Sequence, residues 1–139
     1  MNRKYILLLA SLAWVLGGAS QLLAHHGEAA YDTDKATVVK DCSVTNFMWA
    51  NPHVFVMCDA KGPNGQVQHW VGEAGSPSAQ TLKDWTKNSM HPGDTITVYV
   101  FQSKNGNTVG RLNKVVLADG TELRDSNYKA EIDKNQAYR

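Results

Sequence analysis

The 139-residue sequence predicts a mainly β protein, a small five-stranded barrel with one short helix, carried behind an export signal. Three observations predict it. Runs rich in Val, Ile, Thr, Phe and Tyr are separated by strong turn signals at Gly62-Pro63-Asn64-Gly65, Pro92-Gly93-Asp94, Asn105-Gly106-Asn107 and Ala118-Asp119-Gly120. Only the segment 77–87 carries apolar residues at helical spacing. The first 24 residues have the charge, apolar run and small-residue exit of a cleavable secretory signal.

In the signal, Arg3 and Lys4 supply the positive start and Ile6 to Leu16 the apolar run, broken only by Ser11. Gly17 and Gly18 end it, and Ala24 offers a small residue for cleavage. The run falls short of the ~20 apolar residues of a membrane-spanning helix. An uncleaved amino-terminal anchor is the competing interpretation, and cuts after Ala19 or Ser20 are alternatives to the cut after Ala24. Residues 25–36 are polar and read as an arm.

A β pattern begins at Thr37 and runs through Val38, Val39, Cys42, Val44, Phe47, Met48 and Trp49 until Asn51-Pro52 interrupts it. Val54 to Cys58 forms the second strand. The third covers 66–73, with Val67, His69 and Val71 on one face against Gln68 and Trp70. On that pattern His69 is expected to be a half-buried, satisfied histidine. Ser76 suits a helix N-cap and Pro77 the first helical position, where a missing N–H costs nothing. Ala79, Leu82 and Trp85 would share the buried face of a helix over 77–87. Thr95–Phe101 and Arg111–Leu117 supply the fourth and fifth strands. The β domain is expected over 37–125, with 126–139 a polar tail, loose or a frayed helix. The order β-β-β-α-β-β is that of the OB-fold, a partly open five-stranded barrel; an irregular β-sandwich is its competitor.

Cys42 and Cys58 are the sequence's two cysteines. In an oxidising compartment two cysteines usually pair. If the strands on either side of Asn51-Pro52 form an antiparallel hairpin in which facing residues sum to 100, positions 42 and 58 meet. A redox or metal-binding role is the alternative, though no Cys-x-x-Cys spacing is present to tune a thiolate.

Removal of residues 1–24 leaves 12 basic and 13 acidic side chains. No basic stripe remains, so the electrostatic footprint of a nucleic-acid binder is missing. No membrane association is expected once the signal is cut. The sequence holds no Ser/His/Asp order of a known hydrolase, no His-Glu-x-x-His and no phosphate loop, so no catalytic residue is nominated.

These features together resemble a family of small exported bacterial proteins, domain of unknown function 6152. The resemblance rests on His25-His26 after an alanine, Asp32-x-Asp34-Lys35, Trp49-x-Asn51-Pro52-His53, Trp70-x-Gly72-Glu73-x-Gly75-Ser76-Pro77, Leu82, Trp85, Pro92-Gly93-Asp94 and Leu117-x-Asp119-Gly120. It departs at Gly27, where members commonly have serine, and in the cysteine pair, which is not part of the family's pattern. The resemblance implies export and a compact β domain. It implies no activity.

Chemistry must therefore come from the residues. Cleavage after Ala24 would make His25 the amino terminus, offering an α-amine and a ring nitrogen together. That amine deprotonates far more readily than a lysine. His26 adds a second imidazole. Such nitrogen donors suit Cu(II), then Ni(II). His53 is the first choice to complete the set, with His69 and His91 as alternatives and Glu73 as an oxygen donor or a carboxylate that orients a ring N–H. Plainer roles compete: His91 as a solvated loop residue, Glu73 as an acceptor near the helix start, and Trp49, Trp70 and Trp85 as core. The expectation is thus a periplasmic or secreted copper-binding protein. The alternative is a non-enzymatic module whose barrel face, near Trp49, Phe55 and Trp70, binds a periplasmic partner or small ligand. Copper-dependent oxidative catalysis ranks third.

Overall fold

A computed structural model describes residues 29–130. The chain divides into two units at Ala30/Tyr31, and every element below belongs to the second. They are β1 (Thr37–Met48), β2 (Phe55–Lys61), β3 (Val67–Glu73), α1 (Pro77–Thr81), β4 (Thr95–Gln102), β5 (Val109–Val116) and β6 (Glu122–Arg124). Among the described residues no helix is long and apolar enough to cross a membrane.

The sheet closes into a barrel. β1 pairs with β2 and with β4, β2 with β3, and β4 with β5, all antiparallel. A short parallel contact of β3 with β5 closes the ring of five strands. With α1 between β3 and β4, this is the OB-like order the sequence predicts. β1 serves two neighbours because it is long and bent. Its register shifts between Val39 and Cys42 against β4, where Asp41 takes φ 52°, and between Val44 and Asn46 against β2. Such bulges bend a strand and increase its twist. β6, pairing with the end of β5, was not foreseen.

Closure requires glycine. Gly72 of β3 faces Gly110 of β5 at the parallel contact. A Cβ on Gly110 would stand 2.6 Å from the Phe101 carbonyl oxygen, and one on Gly72 would stand 2.7 Å from Leu112 Cδ1. Backbones can approach this closely only without side chains.

The interior is built from alternate strand residues: Val44, Val56, Cys58, Trp70, Ile96, Val98, Val100, Leu112 and Val115 are all buried. Cys42 and Cys58 are joined by a disulfide within this core. Their meeting differs from the expected register: Cys58 faces Val44, so Cys42 reaches it diagonally, with Cα atoms 5.5 Å apart. The connection through Asn51-Pro52 displaces the count: facing residues sum to 103 at Met48 and Phe55, and the bulge between Val44 and Asn46 returns only one position, to 102.

The helix is shorter than expected. α1 is N-capped by Ser76, whose hydroxyl accepts from the Ala79 N–H. It then stops. Trp85 N–H returns to the Gln80 carbonyl and Asp84 N–H to the Thr81 carbonyl, with Asp84 in the left-handed region at φ 63°. These paired bonds are a Schellman closure. Leu82, expected on the buried face, is therefore 83% exposed, while Gln80 and Trp85 are fully buried.

The chain after β6 is not loose through residue 129. Asp125 is buried, and its carboxylate accepts from the N–H of Gly75 and of Asn127. Gln80 accepts from Ser126 N–H, Asn113 accepts from Lys129 N–H, and the Trp85 indole donates to the Arg124 carbonyl. Buried amides and a carboxylate thus satisfy a segment that lacks a regular ladder.

Candidate functional site

Partners on adjacent strands share a face, so the register defines the barrel's outer surface. One row runs Met48, Phe55, Glu73, Arg111 across β1, β2, β3 and β5. A second runs Asn46, Met57, Val71, Val109. A third runs Ser43, Asp59, His69. This surface carries imidazole, carboxylate, guanidinium and thioether groups around a strip of apolar side chains.

His53 sits at the upper edge of it. Two backbone bonds extend the β2–β3 ladder past the strand ends, from Val54 N–H to the Gly75 carbonyl and from Ala74 N–H to the Val54 carbonyl. They fix His53 beside Ala74. Its Nδ1 lies 3.1 Å from the Ala74 carbonyl oxygen and 3.4 Å from Glu73 Oε1. A carbonyl oxygen only accepts, so Nδ1 carries the proton and donates. Nε2 then keeps its lone pair, on a ring that is half-buried and has no other partner among the described residues. Glu73 is held in turn by Arg111, whose Nη1 lies 3.7 Å from Oε1. This is the arrangement by which a carboxylate and a carbonyl orient a ligating imidazole.

The other histidines differ. His69 is exposed, not half-buried, because Trp70 and Gly72 take the inward positions of β3. Its Nδ1 donates to Asp59 Oδ1 at 2.7 Å, and its carbonyl accepts from the Thr108 hydroxyl. His91 is an exposed loop residue; its backbone N–H donates to Asp94. Trp70 and Trp85 are core, Trp49 packs partly buried against it, and Phe55 faces outward.

His53 and Glu73 are therefore together, and His69 and His91 each stand apart with their own acid. Among the described residues no three His, Cys, Asp or Glu side chains gather as a metal-binding group. His25 and His26 lie outside the described residues. Arg111 was not nominated from sequence. Its only signal is an alternating position beside Gly110, visible once β3 and β5 are known to touch.

Over residues 13–113 the chain matches a family model described as a family of unknown function, DUF6152. No curated protein and no solved structure matches it.

Proposed function

We propose that this chain, which belongs to the DUF6152 family, is an exported copper-binding protein whose cleaved amino terminus chelates the metal. Signal removal after Ala24 frees the α-amine of His25. That amine, the His25 ring and the His26 ring are the primary donors to Cu(II), a set matching the preference of that ion for nitrogen in tetragonal geometry. His53 supplies a further nitrogen through Nε2. The observation that carries this reading is the tethering of His53 Nδ1 by Ala74 and Glu73, which leaves one oriented nitrogen donor on the barrel surface. Glu73 stands behind the ring, and Arg111 holds Glu73.

Export is supported by the signal pattern and by the disulfide, since such bonds persist in oxidising compartments. The protein would serve as a periplasmic or secreted carrier. The test is intact mass of the exported protein followed by Cu(II) titration with visible and electron-spin spectroscopy. The expected result is a chain starting at His25 that binds one Cu(II), and a His53→Gln variant with altered ligand-field bands. A mature chain beginning elsewhere overturns the reading.

A second reading, a non-enzymatic interaction module, is favoured by the outward Met57–Val71–Val109 row with Met48 and Phe55 beside it. It predicts a partner that co-purifies with the exported protein and is lost when Val71 and Val109 are made polar.

A further inference from the structure

We infer that Asn64 is a self-modification site, its side-chain amide converted to aspartate and isoaspartate by attack of the Gly65 backbone nitrogen, and that Gln102 protects the equivalent Asn105. The sequence has two Asn-Gly steps, Asn64-Gly65 between β2 and β3 and Asn105-Gly106 between β4 and β5. The two turns are built alike. Gly65 N–H donates to the Gly62 carbonyl at 2.9 Å and Gly106 N–H to the Ser103 carbonyl at 3.0 Å, with the glycines at φ 77° and 83°. In each turn the asparagine Oδ1 accepts from the backbone N–H two residues on. Asn64 accepts from Gln66 at 3.1 Å and Asn105 from Asn107 at 3.0 Å. All four Asn and Gly residues are exposed.

The ring that such a hydrogen bond closes contains both the amide carbon Cγ and the glycine nitrogen. The donated N–H draws charge onto Oδ1, makes Cγ more electrophilic and stabilises the oxyanion formed by attack. Glycine has no side chain to shield its nitrogen. Once hydroxide takes the Gly65 N–H proton, the nitrogen bonds to Asn64 Cγ. The Cγ–Nδ2 bond breaks, and Nδ2 leaves as ammonia with a proton from water, which regenerates hydroxide. Water then opens the resulting succinimide at either carbonyl. Breaking the nitrogen–Cγ bond leaves an aspartate side chain on an ordinary backbone. Breaking the bond from nitrogen to the backbone carbonyl carbon routes the chain through Cγ as isoaspartate. Either product puts a new negative charge at the tip of the β2–β3 hairpin, and neither needs a metal or the amino terminus.

Ring closure pulls the glycine N–H off its carbonyl, so the turn must open. At the second turn Gln102 resists this. Its Nε2 donates to the carbonyls of Gly106 at 3.2 Å and Asn107 at 3.0 Å, while its Oε1 accepts from the Thr37 hydroxyl at 3.1 Å. Ser103, at the base of that turn, is also bridged to Tyr31. The turn at 62–66 has no such clamp: among the described residues its hydrogen bonds all come from within it. Two extra hydrogen bonds to break should slow Asn105 by about tenfold or more relative to Asn64.

The exported protein is incubated in mildly alkaline buffer. Peptide mass spectrometry then follows the amide-to-acid mass change at each asparagine, with electron-transfer fragmentation to distinguish isoaspartate. The expected result is conversion at Asn64 about tenfold or more ahead of Asn105, with isoaspartate among the products. Gln102→Leu should raise the Asn105 rate toward that of Asn64 and leave the Asn64 rate unchanged; acceleration at both sites would report general loosening of the fold and overturn the clamp. In denaturant the two rates should converge. No conversion at Asn64, Asn105 ahead of Asn64 in the folded protein, or an Asn105 rate indifferent to Gln102→Leu would overturn the inference.

Discussion

Nδ1 of His53 stands 3.4 Å from Oε1 of Glu73, with the Ala74 carbonyl oxygen 3.1 Å from the same nitrogen. Two acceptors at one ring nitrogen fix the tautomer of the neutral ring. Nitrogen-15 NMR should therefore show His53 protonated at Nδ1 and unprotonated at Nε2. In Glu73→Gln the Ala74 carbonyl still holds the proton, and metal affinity should fall about tenfold, in line with losses at outer-shell partners. An Nε2–H tautomer contradicts the assignment.

The disulfide closes a short loop, with 16 positions separating Cys42 from Cys58. Constraining such a loop in the unfolded chain stabilises by about 3 kcal/mol. Urea unfolding of a Cys42→Ser/Cys58→Ser variant should show a loss of that order. An unchanged midpoint would mean that the reduced, unfolded chain is already compact.

Gly110→Ala should cost more than Gly72→Ala. The first places a methyl group 2.6 Å from a backbone oxygen of β4, whereas the second meets the movable end of Leu112. Overpacking of this kind costs about 1–3 kcal/mol, and Gly110→Ala belongs at or above the top of that range. Thermal denaturation of the two variants orders them, and a reversed order contradicts the closure described here.

Lys114 is buried under the Tyr99 ring and its Nζ lies 2.7 Å from Glu122 Oε1. That hydrogen bond foremost holds the Glu122 carboxyl below the usual glutamate range, against an opposing effect of partial burial, with Arg124 adding to the lowering. A carboxyl whose pKa is lower in the folded state gives stability that is complete above its unfolded pKa and lost as pH falls through the folded value. Glu122→Gln should therefore cost about 1–2 kcal/mol near neutrality, less than a fully buried pair because Glu122 is partly exposed. The difference should shrink as both proteins are taken to acid. A deficit independent of pH contradicts the pairing.

Asp125→Ala should release the segment after β6. It leaves the N–H groups of Gly75 and Asn127 without the carboxylate. Gly75 is buried, and a buried donor left unpaired costs about 1–3 kcal/mol; exposed Asn127 can turn to water. Hydrogen exchange at these two amides should accelerate more than at Val98 or Val115, and protection unchanged from the parent contradicts the clamp.

The strands were legible because turn residues bracket each β run and the inward positions are apolar. Gly62-Pro63-Asn64-Gly65 and Asn105-Gly106-Asn107 do connect neighbouring strands. The errors have local causes. His69 looked inward because Val67 and Val71 flank it, yet Trp70 and Gly72 face the core, and Val67 is left exposed. Leu82 looked helical and buried, but Asp84 closes the turn before a further buried face forms. The segment at 126–129 looked loose because its order comes from Asp125, Gln80 and Asn113, polar side chains that periodicity does not weigh. In the site, His53 and Glu73 could be nominated from sequence, whereas Arg111 depends on strand register.

Cu(II) affinity of the mature chain starting at His25, compared with the same chain carrying one extra glycine before it, tests the proposed function most directly. The added residue leaves both imidazoles in place but moves the α-amine away from the His25 ring. Chelation by the terminus predicts a large loss of affinity and altered ligand-field bands. Equal binding by both chains would contradict it.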